Sequence, residues 1–284
     1  MTKIAWIGTG VMGKPMALHL AKAGYTVNAY NRTFEKAQAL EPMVHACETI
    51  QECVHDADLI VSIVGYPNDV KDVYEEVFLH AKKGAILIDM TTSSPPLAIE
   101  LAEKANRLGF TMMDAPVTGG DLGAINATLS IMVGGDESVF QSVLPILSLL
   151  GKTITYMGNN GSGQHAKLAN QIVIAGNIAG IAESLVYAES KGLNKTDMLK
   201  VITGGSAQSW QAQINGAKMI EHDYRPGFYI KHFLKDLRLA IDEKGDLPLE
   251  VLEKVEKIYS KLANDNYSEL GTQAIIEYYL MKMA

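Results

Sequence analysis

Lys167, Asn170 and Gln171 stand at positions i, i+3 and i+4 of a segment with no turn signal, so on a helix the three side chains share one face. A lysine beside two amides in an Ala- and Gly-rich stretch is an unusual surface. Lysine is rarely buried without a partner, and a desolvated ammonium gives up its proton more readily. Such a group can take a proton from an alcohol as hydride leaves, or return it in the reverse direction. A second candidate is Gly8-Thr9-Gly10-Val11-Met12-Gly13, a GxGxxG run directly after a strand-like segment. Its first glycine permits a tight turn, its second lets a pyrophosphate approach the backbone, and its third lets helix and strand pack closely. The phosphate then sits on the N–H groups of a helix N-terminus. A third is Thr118-Gly119-Gly120, a hydroxyl followed by unhindered backbone N–H groups. Successive N–H groups in a turn make a nest for an anion such as a carboxylate. Each has a plainer reading when taken alone: a solvated lysine, a tight structural turn, an ordinary loop after a strand.

The end of the second strand bears on cofactor choice. An acidic residue there binds a ribose 2′-hydroxyl and repels a 2′-phosphate. This chain has Asn31-Arg32-Thr33 instead, with no acid before Glu35. Arg32 can pair with a phosphate or stack on adenine, and Asn31 and Thr33 can donate hydrogen bonds. The other reading is an exposed arginine beside a Thr helix cap. The pattern favours NADP over NAD.

These residues need elements to hold them. Strand-like segments fall at 3–7, 26–30, 58–64, 85–89, 110–113 and 129–133, with helical patterns at 11–23, 33–40, 69–81, 96–107 and 136–149 between them. Strands alternating with helices predict a mostly parallel, doubly wound α/β sheet. The nearly continuous apolar runs at 59–64 and 85–88 read as strands buried on both faces. After Gly158-Asn159-Asn160-Gly161-Ser162-Gly163 the pattern becomes helical to the end: 164–191, 195–203, 208–219, 230–243, 248–263 and 268–282. The expected domains are therefore 1–163, α/β, and 164–284, all-α. The glycines of 164–191 each cost about 1 kcal/mol of helix stability relative to Ala, so close packing is expected there.

Composition narrows the function. The chain has 284 residues, 48% of them hydrophobic, with 25 Lys and Arg against 32 Asp and Glu, a net charge of −7. A packed core is expected, and nucleic-acid binding as the main function is not, because phosphate neutralisation needs a basic face. The two cysteines, Cys47 and Cys53, do not have CxxC spacing. Both are read as reduced, in the cytoplasm. The seven histidines are scattered without HExxH or a paired cluster, so no metal site is expected. No uninterrupted apolar run approaches the roughly 20 residues of a membrane span, and the strand from Lys3 leaves no room for a signal peptide.

Four motifs in order carry a family resemblance. Gly8-x-Gly10-x-Met12-Gly13-x-Pro15-Met16-Ala17 resembles the opening signature of the β-hydroxyacid dehydrogenases. Asp114-Ala115-Pro116-Val117-Thr118-Gly119-Gly120 is similar to the family's substrate-binding motif. Gly161-x-Gly163-Gln164-x-Ala166-Lys167-x-x-Asn170 is similar to its catalytic motif, and Lys235-Asp236-Leu237-x-Leu239-Ala240 to its C-terminal cofactor motif. The chain has Gln171 where the family often has a second Asn.

The resemblance implies a Rossmann domain followed by an all-α domain. It also implies an NADP-dependent oxidoreductase that interconverts a short 3-hydroxy acid and its semialdehyde or oxo acid. By the same token Lys167 is the general acid/base and Asn170 orients substrate or lysine. Thr118, Gly119 and Gly120 hold the substrate carboxylate, with Phe228 and Asp236 beside it. The cofactor falls to Gly8, Thr9, Gly10, Val11, Met12, Gly13, Asn31, Arg32, Thr33, Val64, Thr92 and Lys235. The alternatives are an imine reductase on the same fold, which generally lacks the lysine, and a catalytically silent NADP-binding scaffold. A homodimer or homotetramer joined through the helical domains is expected, from the apolar character of 164–191 and from Met219, Ile220, Phe228, Tyr229, Phe233, Tyr278, Tyr279 and Met281.

Overall fold

The computed structural model describes residues 2–283. It divides into two compact units, Met1–Lys167 and Leu168–Ala284, with the division falling inside a helix.

The first unit is built on strands β1 (Lys3–Ile7), β2 (Thr26–Tyr30), β3 (His45–Cys47), β4 (Leu59–Ser62), β5 (Ile86–Asp89), β6 (Thr111–Asp114), β7 (Val117–Thr118), β8 (Leu129–Gly134) and β9 (Gly151–Gly158). They form one nine-stranded sheet in the order β3-β2-β1-β4-β5-β6-β8-β7, with β9 also paired to β8. The run β3 to β6 is parallel; β8 is antiparallel to β6 and parallel to β9. Strand order reverses between β1 and β4, and the C-terminal ends at such a point are where open α/β sheets take ligands. Gly8 follows β1 there, and Val64 follows β4.

Helices α1 (Gly13–Lys22), α2 (Phe34–Gln38), α3 (Ile50–Val54), α4 (Pro67–His80), α5 (Pro95–Arg107), α6 (Gly120–Ile125) and α7 (Glu137–Leu147) cover both faces. The strand alternation sorts the core accordingly. Ile4 and Trp6 pack with Met16, Leu20 and Phe140 on one side. Ala5 and Ile7 pack with Cys53, Tyr74 and Leu101 on the other. The runs at β4 and β5 are thus buried on both faces, as their unbroken hydrophobicity predicts.

The second unit holds most of α8 (Ser162–Ser190), followed by α9 (Lys195–Gly204), α10 (Trp210–Ile220), α11 (Ile230–Glu243), α12 (Glu250–Leu262) and α13 (Ile275–Leu280). By length and composition α8 could cross a bilayer, yet its Leu168, Ala175, Ile178, Ile181 and Leu185 form the core of this unit with Phe233, Leu237 and Tyr259.

Several expectations change. The sequence reading has no β3, β7, β9, α3 or α6. The first, second and fourth are very short, and β9 exposes one face, so its Thr153-Ile154-Thr155-Tyr156 alternation is a weak signal. The predicted helix 268–282 is instead a turn, an isolated bridge from Tyr229 to Gly271, a 3₁₀ turn at Thr272–Ala274 and then α13. Gly271 adopts an extended backbone that interrupts the helix. Met219 and Phe233, expected to add exposed apolar surface, are fully buried, because α10 and α11 turn those positions inward. Ile220, Phe228, Tyr229, Tyr278 and Tyr279 are half-buried, and Met281 is exposed. Close packing does hold Ala175 and Ala182, but a Cβ at Gly180 would meet nothing within 4 Å.

Candidate active site

The glycine loop divides its labour as the spacing suggests. Gly8 has φ +101°, and a Cβ there would lie 2.1 Å from the Ile63 carbonyl oxygen. A Cβ at Gly13 would lie 1.9 Å from the Gly8 carbonyl oxygen, while one at Gly10 meets nothing within 4 Å. The first and third glycines therefore close the turn, and the second leaves the backbone open to approach. Met12 at the N-cap of α1 supplies no side-chain cap, and Val11 beside it is exposed. Thr9 donates its N–H to Asn31 Oδ1 at 2.9 Å. Its hydroxyl is buried without a hydrogen-bond partner among the described residues, the kind of orphan a phosphate oxygen would satisfy.

Asn31 also donates from Nδ2 to the Thr33 carbonyl at 3.0 Å. It thereby shapes the turn after β2, and Arg32 supplies the positive charge beside it. The guanidinium is exposed, with Nη1 3.4 Å from Asp69 Oδ1.

The strand ends and the start of α8 are tied by buried polar groups. The N–H of Val64 donates to Thr91 Oγ1 at 2.9 Å, and Thr92 next to it is half-buried. Gln164, fully buried, accepts from the Ser93 N–H at 2.9 Å and donates to the Thr91 carbonyl at 2.8 Å. The Asp114 carboxylate accepts from the N–H of Gly161 at 2.8 Å and of Gln164 at 2.9 Å. Burial pushes the Asp114 carboxyl above its ordinary range; these N–H bonds and the positive end of the helix oppose that shift. A Cβ at Gly163 would lie 2.5 Å from the Met132 carbonyl oxygen and 2.8 Å from Asp114. Glycine is thus required for α8 to start against the sheet. This clamp fixes the helix that carries Lys167, which is only 6% exposed. In the sequence Asp114 and Gln164 belong to motifs but carry no role of their own. Gln164 beside Gly161 and Gly163 at a helix start is a local signal, whereas Asp114, at the end of β6, reaches it only through the fold.

Thr118, Gly119 and Gly120 are half-buried where β7 turns into α6. Gly119 and Gly120 have φ +127° and +64°, left-handed geometry that an L side chain resists. Consecutive N–H groups in such a turn suit an anion.

Within the helical unit the polar residues form a short chain. Asn170 donates to Gln171 Oε1 at 3.1 Å, and Gln171 donates to Asp236 Oδ2 at 2.6 Å. The other Asp236 oxygen lies 3.0 Å from Lys235 Nζ. Gln171 and Asp236 are each 1% exposed. Gln171, a departure from the motif in sequence, thus links α8 to α11. Phe228 is half-buried, its ring 6.0 Å from that of Phe233.

Under the sheet ends, Asp89 Oδ1 accepts from Ser62 Oγ at 2.9 Å and from the Thr91 N–H at 3.1 Å. Burial raises its carboxyl to about 6, partly opposed by these bonds. A folded-state value above the unfolded one means a contribution fully present below about pH 4 and lost as pH rises through about 6. Removing the charge removes that loss. Relative to the parent, Asp89→Asn should therefore gain on the order of 3 kcal/mol between pH 4 and 7.5. Urea unfolding of both proteins across that range measures it; a pH-independent difference would refute the assignment.

Comparison with known proteins matches both halves of the chain to family models. Residues 3–158 match the model for the NAD binding domain of 6-phosphogluconate dehydrogenase, and residues 161–279 that for the NAD-binding domain of NADP-dependent 3-hydroxyisobutyrate dehydrogenase. A probable mitochondrial 3-hydroxyisobutyrate dehydrogenase-like protein of Arabidopsis thaliana is 43% identical, covering 97% of this chain and 84% of its own. The 2-hydroxy-3-oxopropionate reductase of Escherichia coli is 36% identical, covering 97% and 96%. The structure of Mycobacterium tuberculosis 3-hydroxyisobutyrate dehydrogenase with L-serine superposes with a TM-score of 0.88 at 33% identity, covering 98% of each chain. With both halves matched and the glycine loop built for a dinucleotide, the chain belongs to the β-hydroxyacid dehydrogenase family, the NAD(P)-dependent oxidoreductases of hydroxy acids.

Proposed function

We propose that the protein interconverts a short 3-hydroxy acid and its semialdehyde or oxo acid, with NADP as the cofactor. The observation that carries this reading is Lys167, an almost fully buried lysine on a helix whose start is clamped by Asp114. The nicotinamide supplies or accepts the hydride. Lys167 donates a proton to the carbonyl oxygen during reduction and takes it from the hydroxyl during oxidation. The Thr118-Gly119-Gly120 turn holds the substrate carboxylate, and Asn170 orients the substrate. L-serine, present with the Mycobacterium tuberculosis relative, is itself a short 3-hydroxy carboxylate.

The test is NADPH consumption with glyoxylate, succinic semialdehyde, methylmalonate semialdehyde and cyclic imines, with the reverse reaction run on the matching hydroxy acids. Turnover of methylmalonate semialdehyde, whose reduction gives a 3-hydroxy acid, is expected with the imines inert; glyoxylate and succinic semialdehyde, which give 2- and 4-hydroxy acids, should be poorer substrates. Turnover of imines alone, or tight NADP binding with no turnover, would overturn the reading in favour of an imine reductase or a silent scaffold.

Cofactor choice is checked at Arg32. Arg32→Ala should raise KM for NADPH about tenfold, the worth of one charge-assisted hydrogen bond, and leave NADH kinetics nearly unchanged. An equal loss with both cofactors, or a parent protein that already prefers NADH, would remove Arg32 from 2′-phosphate recognition.

A further inference from the structure

The fold gathers metal-ligating side chains at a place the dehydrogenase chemistry does not use. His45 and Cys47 are two residues apart on β3, so both point to the same face. β3 is the edge strand beside β2, with Cys47 opposite Tyr30. Glu52 comes from the first turn of α3. An imidazole nitrogen of His45, Cys47 Sγ and a carboxylate oxygen of Glu52 all lie within 4.8 Å of one another.

The cluster is held from two sides. Cys47 is fully buried. Glu52 is oriented by its helix start: its N–H donates to Thr49 Oγ1 at 3.1 Å, and its Oε2 accepts from the Glu48 N–H at 2.9 Å. That leaves Oε1, which lies 3.8 Å from His45 Nε2. The His45 and Glu52 side chains are 62% and 47% exposed, so they can rotate over the fixed sulfur. Zinc takes nitrogen and oxygen at about 2.0–2.2 Å and thiolate sulfur at about 2.3 Å. Tetrahedral ligand atoms then stand roughly 3.3–3.8 Å apart, so closing the cluster needs a movement of about 1 Å by the exposed side chains.

We propose that His45, Cys47 and Glu52 form a binding site for one divalent cation of the zinc class at the edge of the nucleotide-binding sheet. Thiolate and imidazole suit zinc over magnesium or calcium. Three protein ligands leave a fourth position on the exposed side for water.

The test uses the full chain, chelator-stripped and kept reduced, titrated with zinc against a chromophoric chelator and separately with cobalt. One zinc per chain is expected, and the cobalt form should show a thiolate-to-metal charge-transfer band in the near ultraviolet. His45→Ala and Glu52→Gln alter exposed side chains, and glutamine retains an oxygen for the Glu48 N–H. Each should weaken zinc at least about tenfold, since even residues that merely support a ligand cost that much. Cys53→Ala should keep the band. No stoichiometric binding, a cobalt spectrum without sulfur ligation, unchanged affinity in both exposed variants, or loss of the band in a folded Cys53→Ala would each overturn the site.

Discussion

Replacing Lys167 by alanine should lower kcat by about 10²–10⁴-fold, the usual worth of a general acid/base, while the Kd for NADPH stays within about threefold. The lysine is buried on α8, and the start of that helix is seated by the Gly161 and Gln164 N–H groups on the Asp114 carboxylate and by the close approach of Gly163 to the sheet. The glycine loop after β1 is untouched. Binding and folding should therefore survive where the proton transfer does not. Lys167→Arg sharpens the result. It keeps a positive charge, but a guanidinium does not release its proton in the working range, so its kcat should stay far below the parent's. Stopped-flow and steady-state rates with NADPH, beside cofactor titration by fluorescence, measure both quantities. An alanine variant within about threefold of the parent kcat would take Lys167 out of the mechanism.

Gly119→Val should damage substrate binding and leave cofactor binding alone. At φ +127° a β-branched side chain is strained whatever the space, and its Cβ would lie 3.3 Å from Leu129 Cδ2. The turn must shift, and the N–H groups proposed to hold the carboxylate shift with it. KM for the acid substrate should rise and kcat should fall, giving a loss of about 10²-fold or more in kcat/KM, as a displacement of an ångström does elsewhere. The Kd for NADPH should hardly move, since Gly8, Gly10 and Gly13 lie on a different loop. An uncharged aldehyde of similar length is the control. The parent should use it poorly, and the variant should discriminate less between it and the acid. A folded variant that keeps the parent's preference for the carboxylate would sink the assignment.

Much of this protein is legible in its sequence because the signals are local. GxGxxG after an apolar strand states a backbone requirement, and the clashes at Gly8 and Gly13 show why only glycine meets it. Unbroken apolar runs at β4 and β5 state burial on both faces, which a parallel sheet covered by helices provides. The change from alternating to purely helical pattern after Gly163 separates the two architectures, although the compact units divide a little later, within α8. Elements too short for a period, such as β3 and α3, leave no such trace. Nor does the extended residue Gly271 inside an otherwise helical pattern.

What tertiary structure decided is which polar groups meet. Asp114 and Gln164 are distant in sequence, and only the folding of the sheet that ends β6 beside the start of α8 makes one cap the other. Gln171 reads as a departure from a motif until α11 brings Asp236 to 2.6 Å from it. His45, Cys47 and Glu52 match no metal-ligand spacing, yet an edge strand and the next helix turn place their donor atoms together. The reason is the same in each case. Backbone geometry is set by neighbours in the chain, whereas a buried polar group is satisfied by whatever the fold carries to it.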